Sequence, residues 1–86
     1  MKANYRKAYN ELKAISAPVI DGGYDGEDTF RISGEDNYPE TWADYYREYP
    51  AGLDDFGVNL KINTILEKHD LFAEWINPGV LGVCEN

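Results

Sequence analysis

Apolar and polar residues change their period several times along the chain, and each change marks an element. In NYRKAYNELKAIS, Tyr5, Ala8, Tyr9, Leu12 and Ile15 recur at three- and four-residue steps, with Arg6, Lys7 and Lys13 between them. That spacing gathers apolar side chains on one side of an α-helix, so it predicts an amphipathic first helix, stopped by Pro18. PVID is short and β-branched. TFRIS alternates, with Phe30 and Ile32 on one side and Thr29, Arg31 and Ser33 on the other. Both predict strands, and the glycine-rich GGYDGED between them predicts a hairpin.

Helical spacing returns in TWADYYREY. Trp42, Tyr45, Tyr46 and Tyr49 share one side, and Ala43, Asp44, Arg47 and Glu48 the other. With Thr41 and Asp44 in a capping-box arrangement, the pattern predicts a second helix from Trp42 to Tyr49, ended by Pro50. A helix that short does not persist alone in water, so its ring face must pack on something. AGLDDFG predicts a loop. Asn59 suits the cap of a third helix in which Ile62, Ile65, Leu66 and His69 share a face. LFAEWI is mostly apolar and predicts a strand buried on both faces. NPG predicts a type II turn, and VLGVCE a last strand. The order α-β-β-α-α-β-β predicts an α+β domain: a small antiparallel sheet of two hairpins, packed by an N-terminal helix and two short central helices.

Composition alters this little. A chain of 86 residues suits one domain over 1–86. Seven Tyr, two Trp and three Phe supply enough ring area to close a small core, which argues against disorder. Cys84 has no second cysteine to pair with. No basic–apolar leader opens the sequence, and no run of about eighteen apolar residues occurs. A soluble, cytoplasmic protein is expected, with no membrane partner.

Charge changes the picture most. The net charge is −8 and unevenly placed. Residues 1–20 carry Lys2, Arg6, Lys7 and Lys13 against Glu11 alone. Residues 21–55 carry Asp21, Asp25, Glu27, Asp28, Glu35, Asp36, Glu40, Asp44, Glu48, Asp54 and Asp55 against Arg31 and Arg47. Such a field repels nucleic acid and anionic lipid, and attracts cations or basic protein surfaces.

Candidate chemistry is sparse. DGGYDGEDTFRI opens like a calcium loop, with Asp21, Asp25 and Gly26 in the first, fifth and sixth places. Gly23 stands in the third place, however, and Ile32 in the twelfth, where a bidentate Glu closes the oxygen cage. His69 and Cys84 match no zinc spacing, and they form the one thiol–imidazole pair available for nucleophilic catalysis. Cys84 in an apolar strand reads as a small hydrophobe, and His69 as a helix-end residue favoured by the dipole. No glycine-rich phosphate loop is present. Rings that stack on bases sit in basic grooves, whereas these sit among acids. The expectation is no catalytic residue, no metal, no cofactor and no direct nucleic-acid contact.

What remains is a surface where rings and acids meet. The expected partner-binding set is Tyr24, Asp25, Glu27, Asp28, Glu35, Asp36, Tyr38, Glu40, Asp44, Tyr45 and Glu48. Trp42 and Tyr46 are expected to fix the second helix to the core, with Tyr38, Tyr45 and Tyr49 at its edge. The ring stripe reads as core or as interface, and the acids as solubilising or as functional. The sequence leaves both choices open.

In its size, its acid cluster over 21–55 and its exposed-looking Tyr and Trp residues, the chain resembles the small acidic inhibitors that phages and mobile elements direct against host defence. These are of the anti-CRISPR and anti-restriction type. The resemblance is one of whole-chain profile and carries no residue roles. It implies a non-enzymatic protein in the bacterial host cytoplasm, monomeric or homodimeric. It also implies a basic nucleic-acid-binding protein or nucleoprotein complex as partner, with the acidic face mimicking DNA. Two other readings stay open: an accessory domain with an ordinary solvated acidic surface, and a small enzyme built on Cys84 and His69.

Overall fold

The computed structural model describes residues 1–46 and 51–86. Helix α1 spans Ala3–Ala14 and buries Tyr5, Ala8 and Leu12, as its spacing predicts. Its end is set before Pro18. Ser16 turns left-handed at φ 69°. Its N–H donates to Lys13 O at 3.0 Å, and the Ala17 N–H returns to Leu12 O at 3.0 Å. These two bonds satisfy carbonyls that the last helical turn leaves open.

Strands β1 (Val19–Asp21) and β2 (Phe30–Ser33) form the first hairpin, and β3 (Leu71–Asn77) and β4 (Val80–Glu85) the second. The hairpins join through β2 and β4, giving an antiparallel sheet of order β1-β2-β4-β3. Helix α2 (Leu60–Lys68) is capped by the Asn59 side chain, which accepts from the Lys61 N–H at 2.8 Å. The result is α+β, with α1 and α2 on one face of the sheet. Phe30 and Ile32 of β2, Leu71 of β3, and Leu81 and Val83 of β4 meet Leu12, Ile62 and Leu66 of the helices in the core. Tyr5 and Tyr9 set their rings edge-on to Phe30, at 6.5 and 5.4 Å between centroids.

Three expectations are corrected. First, residues 42–46 are not helical, so the described residues hold one central helix rather than two. Ala43 pairs with Val58 in an isolated antiparallel bridge, and the Asp44 N–H donates to Gly57 O at 2.7 Å. The Asn37 carboxamide accepts from the Trp42 and Ala43 amides, at 2.9 and 3.2 Å. The Trp42 indole donates to Tyr38 O at 3.0 Å. The Trp42 carbonyl and the Tyr46 amide, which a helix would pair with each other, are engaged elsewhere: Trp42 O accepts from the Asn59 N–H at 2.9 Å, and the Tyr46 N–H donates to Asp44 Oδ1 at 3.0 Å. Trp42 enters the core together with Ala43, which the helical pattern had placed on the opposite side, while Tyr46 stays 71% exposed instead of packing. The rest of that expected helix, with Glu48, Tyr49 and the stop at Pro50, lies outside the described residues.

Second, β3 is a strand but not one buried on both faces. It forms a sheet edge, and Phe72 and Ile76 on its outer face are exposed. Third, the turn at 78–79 is not type II, because Gly79 does not take the positive φ that turn requires. Asn77 shapes it instead, accepting from the Gly79 N–H at 2.8 Å after a bulge between Trp75 and Asn77.

Candidate protein-binding surface

The edge position of β3 and the bridge at Ala43 bring distant rings together. Tyr45 follows the bridge and sets its ring edge-on to Trp75 of β3, at 5.3 Å, and to Tyr46, at 5.4 Å. The Trp75 indole donates to Phe56 O at 2.7 Å, which ties β3 to the 53–58 loop. Asp54 shapes that loop by accepting from the Phe56 and Val58 amides, at 2.8 and 3.0 Å, and from Asn63 at 2.7 Å. Phe56 is thereby held outward, 74% exposed. Two clefts meet at Phe56 and Trp75. One, of about 220 Å³, adds Tyr45 and Asp55. The other, of about 260 Å³, adds Asp54, Val58, Phe72, Ala73 and Glu74. The surface is therefore a band of rings with carboxylates set among them.

The sequence-predicted residues divide between the two ends of β2. The loop before it carries Tyr24, Asp25, Glu27 and Asp28. Tyr24 is exposed and, with Asp25 and Glu27, rims a cleft of about 190 Å³ that reaches Arg31 and Cys84 on the open sheet face. Asp28 pairs with the N-terminal ammonium. The segment after β2 carries Glu35, Asp36, Tyr38, Glu40, Asp44 and Tyr45. This second group lies on the side of the ring band. A Cβ on Gly34 would come within 2.7 Å of the Trp75 ring, so Glu35 follows directly beside that residue. Tyr38 is almost wholly exposed. Glu40 bonds Lys61 at 2.8 Å and Asn59 at 3.0 Å, and these bonds hold its carboxyl below the usual range. Glu48 lies outside the described residues. The structure thus makes two acidic surfaces from one acidic stretch, and only the second adjoins clustered rings.

Sequence reasoning missed Phe56, Trp75, Tyr46 and Phe72. Two signals were present. Glu74 stands in the middle of LFAEWI, and a charge there marks that face as wet. Phe56 sits in a loop of Asp and Gly with no periodic partner to bury it.

The thiol and the imidazole are partnered separately. His69 caps α2 and meets Glu11, which also takes Lys68. Cys84 faces Glu74 at 3.7 Å. Burial, then the Glu74 charge, pushes its thiol above the ordinary value, away from a nucleophilic thiolate. Among the described residues no cluster of three or more His, Cys, Asp or Glu could hold a metal ion, and no helix is long and apolar enough to cross a membrane. The chain matches no known family model, no curated protein and no solved structure.

Proposed function

We propose that this chain is a non-enzymatic inhibitor that docks its ring-and-carboxylate band on a basic, nucleic-acid-binding protein and so keeps nucleic acid away. The observation that carries this reading is the meeting of Tyr45, Tyr46, Phe56 and Trp75 at one sheet edge, partly in water, in a chain of net charge −8. Clustered rings in water are costly unless a partner covers them, and Tyr and Trp are the side chains that anchor interfaces. The acidic field then selects a basic partner and speeds encounter. The resemblance to phage and mobile-element inhibitors supplies the class of target: a nucleoprotein complex of host defence in the bacterial cytoplasm.

The test is capture from a bacterial lysate on the tagged chain at about 50 and about 500 mM salt, a range over which surface electrostatics are progressively screened. A Tyr45→Ser/Phe56→Ser variant runs alongside. The expected result is a nucleic-acid-binding protein that is retained at low salt, shed at high salt and lost from the variant. A partner equally held by the variant would move the site elsewhere. A partner with no affinity for nucleic acid would overturn the mechanism.

A further inference from the structure

The hydrogen-bond phase of the sheet determines what the β3 edge offers. The Gly34 N–H donates to Gly79 O at 2.8 Å, so alternate β4 residues from 79 through 81 to 83 face β2. Gly82 and Cys84 therefore bond β3, opposite Glu74 and Phe72. The Asn86 N–H donating to Asp70 O at 3.0 Å fixes the same phase from the other end. It follows that the N–H and C=O groups of Ala73 and Trp75 point away from β4. No strand among the described residues lies beyond them. An edge of this kind is a template for another strand.

The geometry points to β-strand addition: an extended segment of the basic partner pairs with the outer edge of β3, through the main chain of Ala73 and Trp75. This deepens the docking reading above and rests on it. The surroundings specify the segment. Side chains on one face of the added strand enter the cleft of about 260 Å³ between β3 and the 53–58 loop, where Phe56, Val58, Ala73 and Trp75 form most of the wall and Asp54 and Glu74 also line it. The apolar part of that wall favours aliphatic residues. Side chains on the other face lie over Phe72, Glu74 and Ile76, where Glu74 selects Lys or Arg. A segment alternating aliphatic and cationic residues satisfies both faces, because strand side chains alternate. A second copy of this chain does not fit. Antiparallel pairing of β3 with itself brings Glu74 near Glu74, between two molecules each of charge −8.

The probe is the capped peptide Lys-Val-Lys-Val-Lys-Val-Lys, titrated into isotope-labelled protein and followed by amide NMR and hydrogen exchange. The expected result is slowed exchange at Ala73 and Trp75, with shifts along β3 and the 53–58 loop. The same peptide N-methylated at alternate residues, and the Glu-Val counterpart, should not bind. Ala73→Pro removes an amide that β4 does not use, and proline is tolerated on such an edge. It should weaken the peptide about tenfold, since main-chain bonds lost at an interface cost of the order of one such factor. Ala73→Val, which keeps the amide, should retain binding, and its fold serves as the reference for the proline variant.

Unchanged exchange at Ala73 and Trp75, or undiminished binding of the N-methylated peptide, overturns strand addition. Should Ala73→Pro still capture the lysate partner while Tyr45→Ser/Phe56→Ser does not, strand addition falls and the docking surface stands. Should neither variant affect capture, both readings fall.

Discussion

Asn59 is buried, and both ends of its side chain are engaged. Its oxygen caps α2, and its amide donates to Glu40 at 3.0 Å and to Thr41 O at 2.9 Å. Asn59→Ala therefore removes a helix cap and a tether to the ring-bearing segment at once. The expected loss is about 1–3 kcal/mol by urea unfolding. Two carboxylates contribute to acid behaviour. Bonds from Lys68 and His69 lower the Glu11 pKa, and bonds from Lys61 and Asn59 lower that of Glu40. Each binds its proton more readily unfolded than folded, so each stabilises the fold above the ordinary carboxyl value of 4.5. That contribution fades as pH falls from there through the lower folded pKa. Thermal unfolding followed from about pH 6 downward should show a loss of stability toward acid in the parent. The loss should be less steep in Glu11→Gln/Glu40→Gln, and equal slopes would show that neither pair contributes.

At the scale of elements, the ring band depends on β3 being an edge. Gly34 shows how little room there is. A Cβ there would meet Trp75 at 2.7 Å and the Gly79 backbone at 3.1 Å. Gly34→Ala should cost about 1–3 kcal/mol through overpacking. It should also weaken partner capture by displacing Trp75 without altering any charge. Stability by denaturant and capture at fixed salt check the two halves of this expectation. Most elements were legible in the chain. The helical spacing of α1, the alternation of β2 and the Asn59 cap each had a local cause. The Trp42–Tyr46 stretch did not. Four rings at helical spacing match a helix, but here Gly57 and Asn59, distant in sequence, take the Asp44 amide and the Trp42 carbonyl. LFAEWI misled for the opposite reason. Apolar residues on both faces of a strand read as burial in a sheet centre, and strand order is a tertiary fact that periodicity does not carry.

At the scale of the molecule, the acidic stretch that looked like one surface is divided by the sheet. Charge and composition were legible; their division was not, because it follows from loops leaving opposite ends of β2. A test follows directly. Asp25→Lys/Glu27→Lys and Glu35→Lys/Asp36→Lys change net charge equally. The second pair lies on the side of the ring band, so it should slow association with the partner by roughly tenfold, and the first pair much less, as measured by surface plasmon resonance at low salt. Raising salt should narrow the difference, since exposed charges beyond a Debye length are screened. Equal slowing by both pairs would mean that only the overall field matters.

The two tryptophans give the protein a built-in pair of fluorophores. Trp42 is fully buried, whereas Trp75 sits half-buried in the ring band with its indole on Phe56 O. Blue-shifted emission that acrylamide hardly quenches should belong to Trp42 and survive in Trp75→Phe. Quenchable, longer-wavelength emission should belong to Trp75 and change when a partner docks. One chain, unlabelled, can thus report its folding and its occupancy at separate wavelengths.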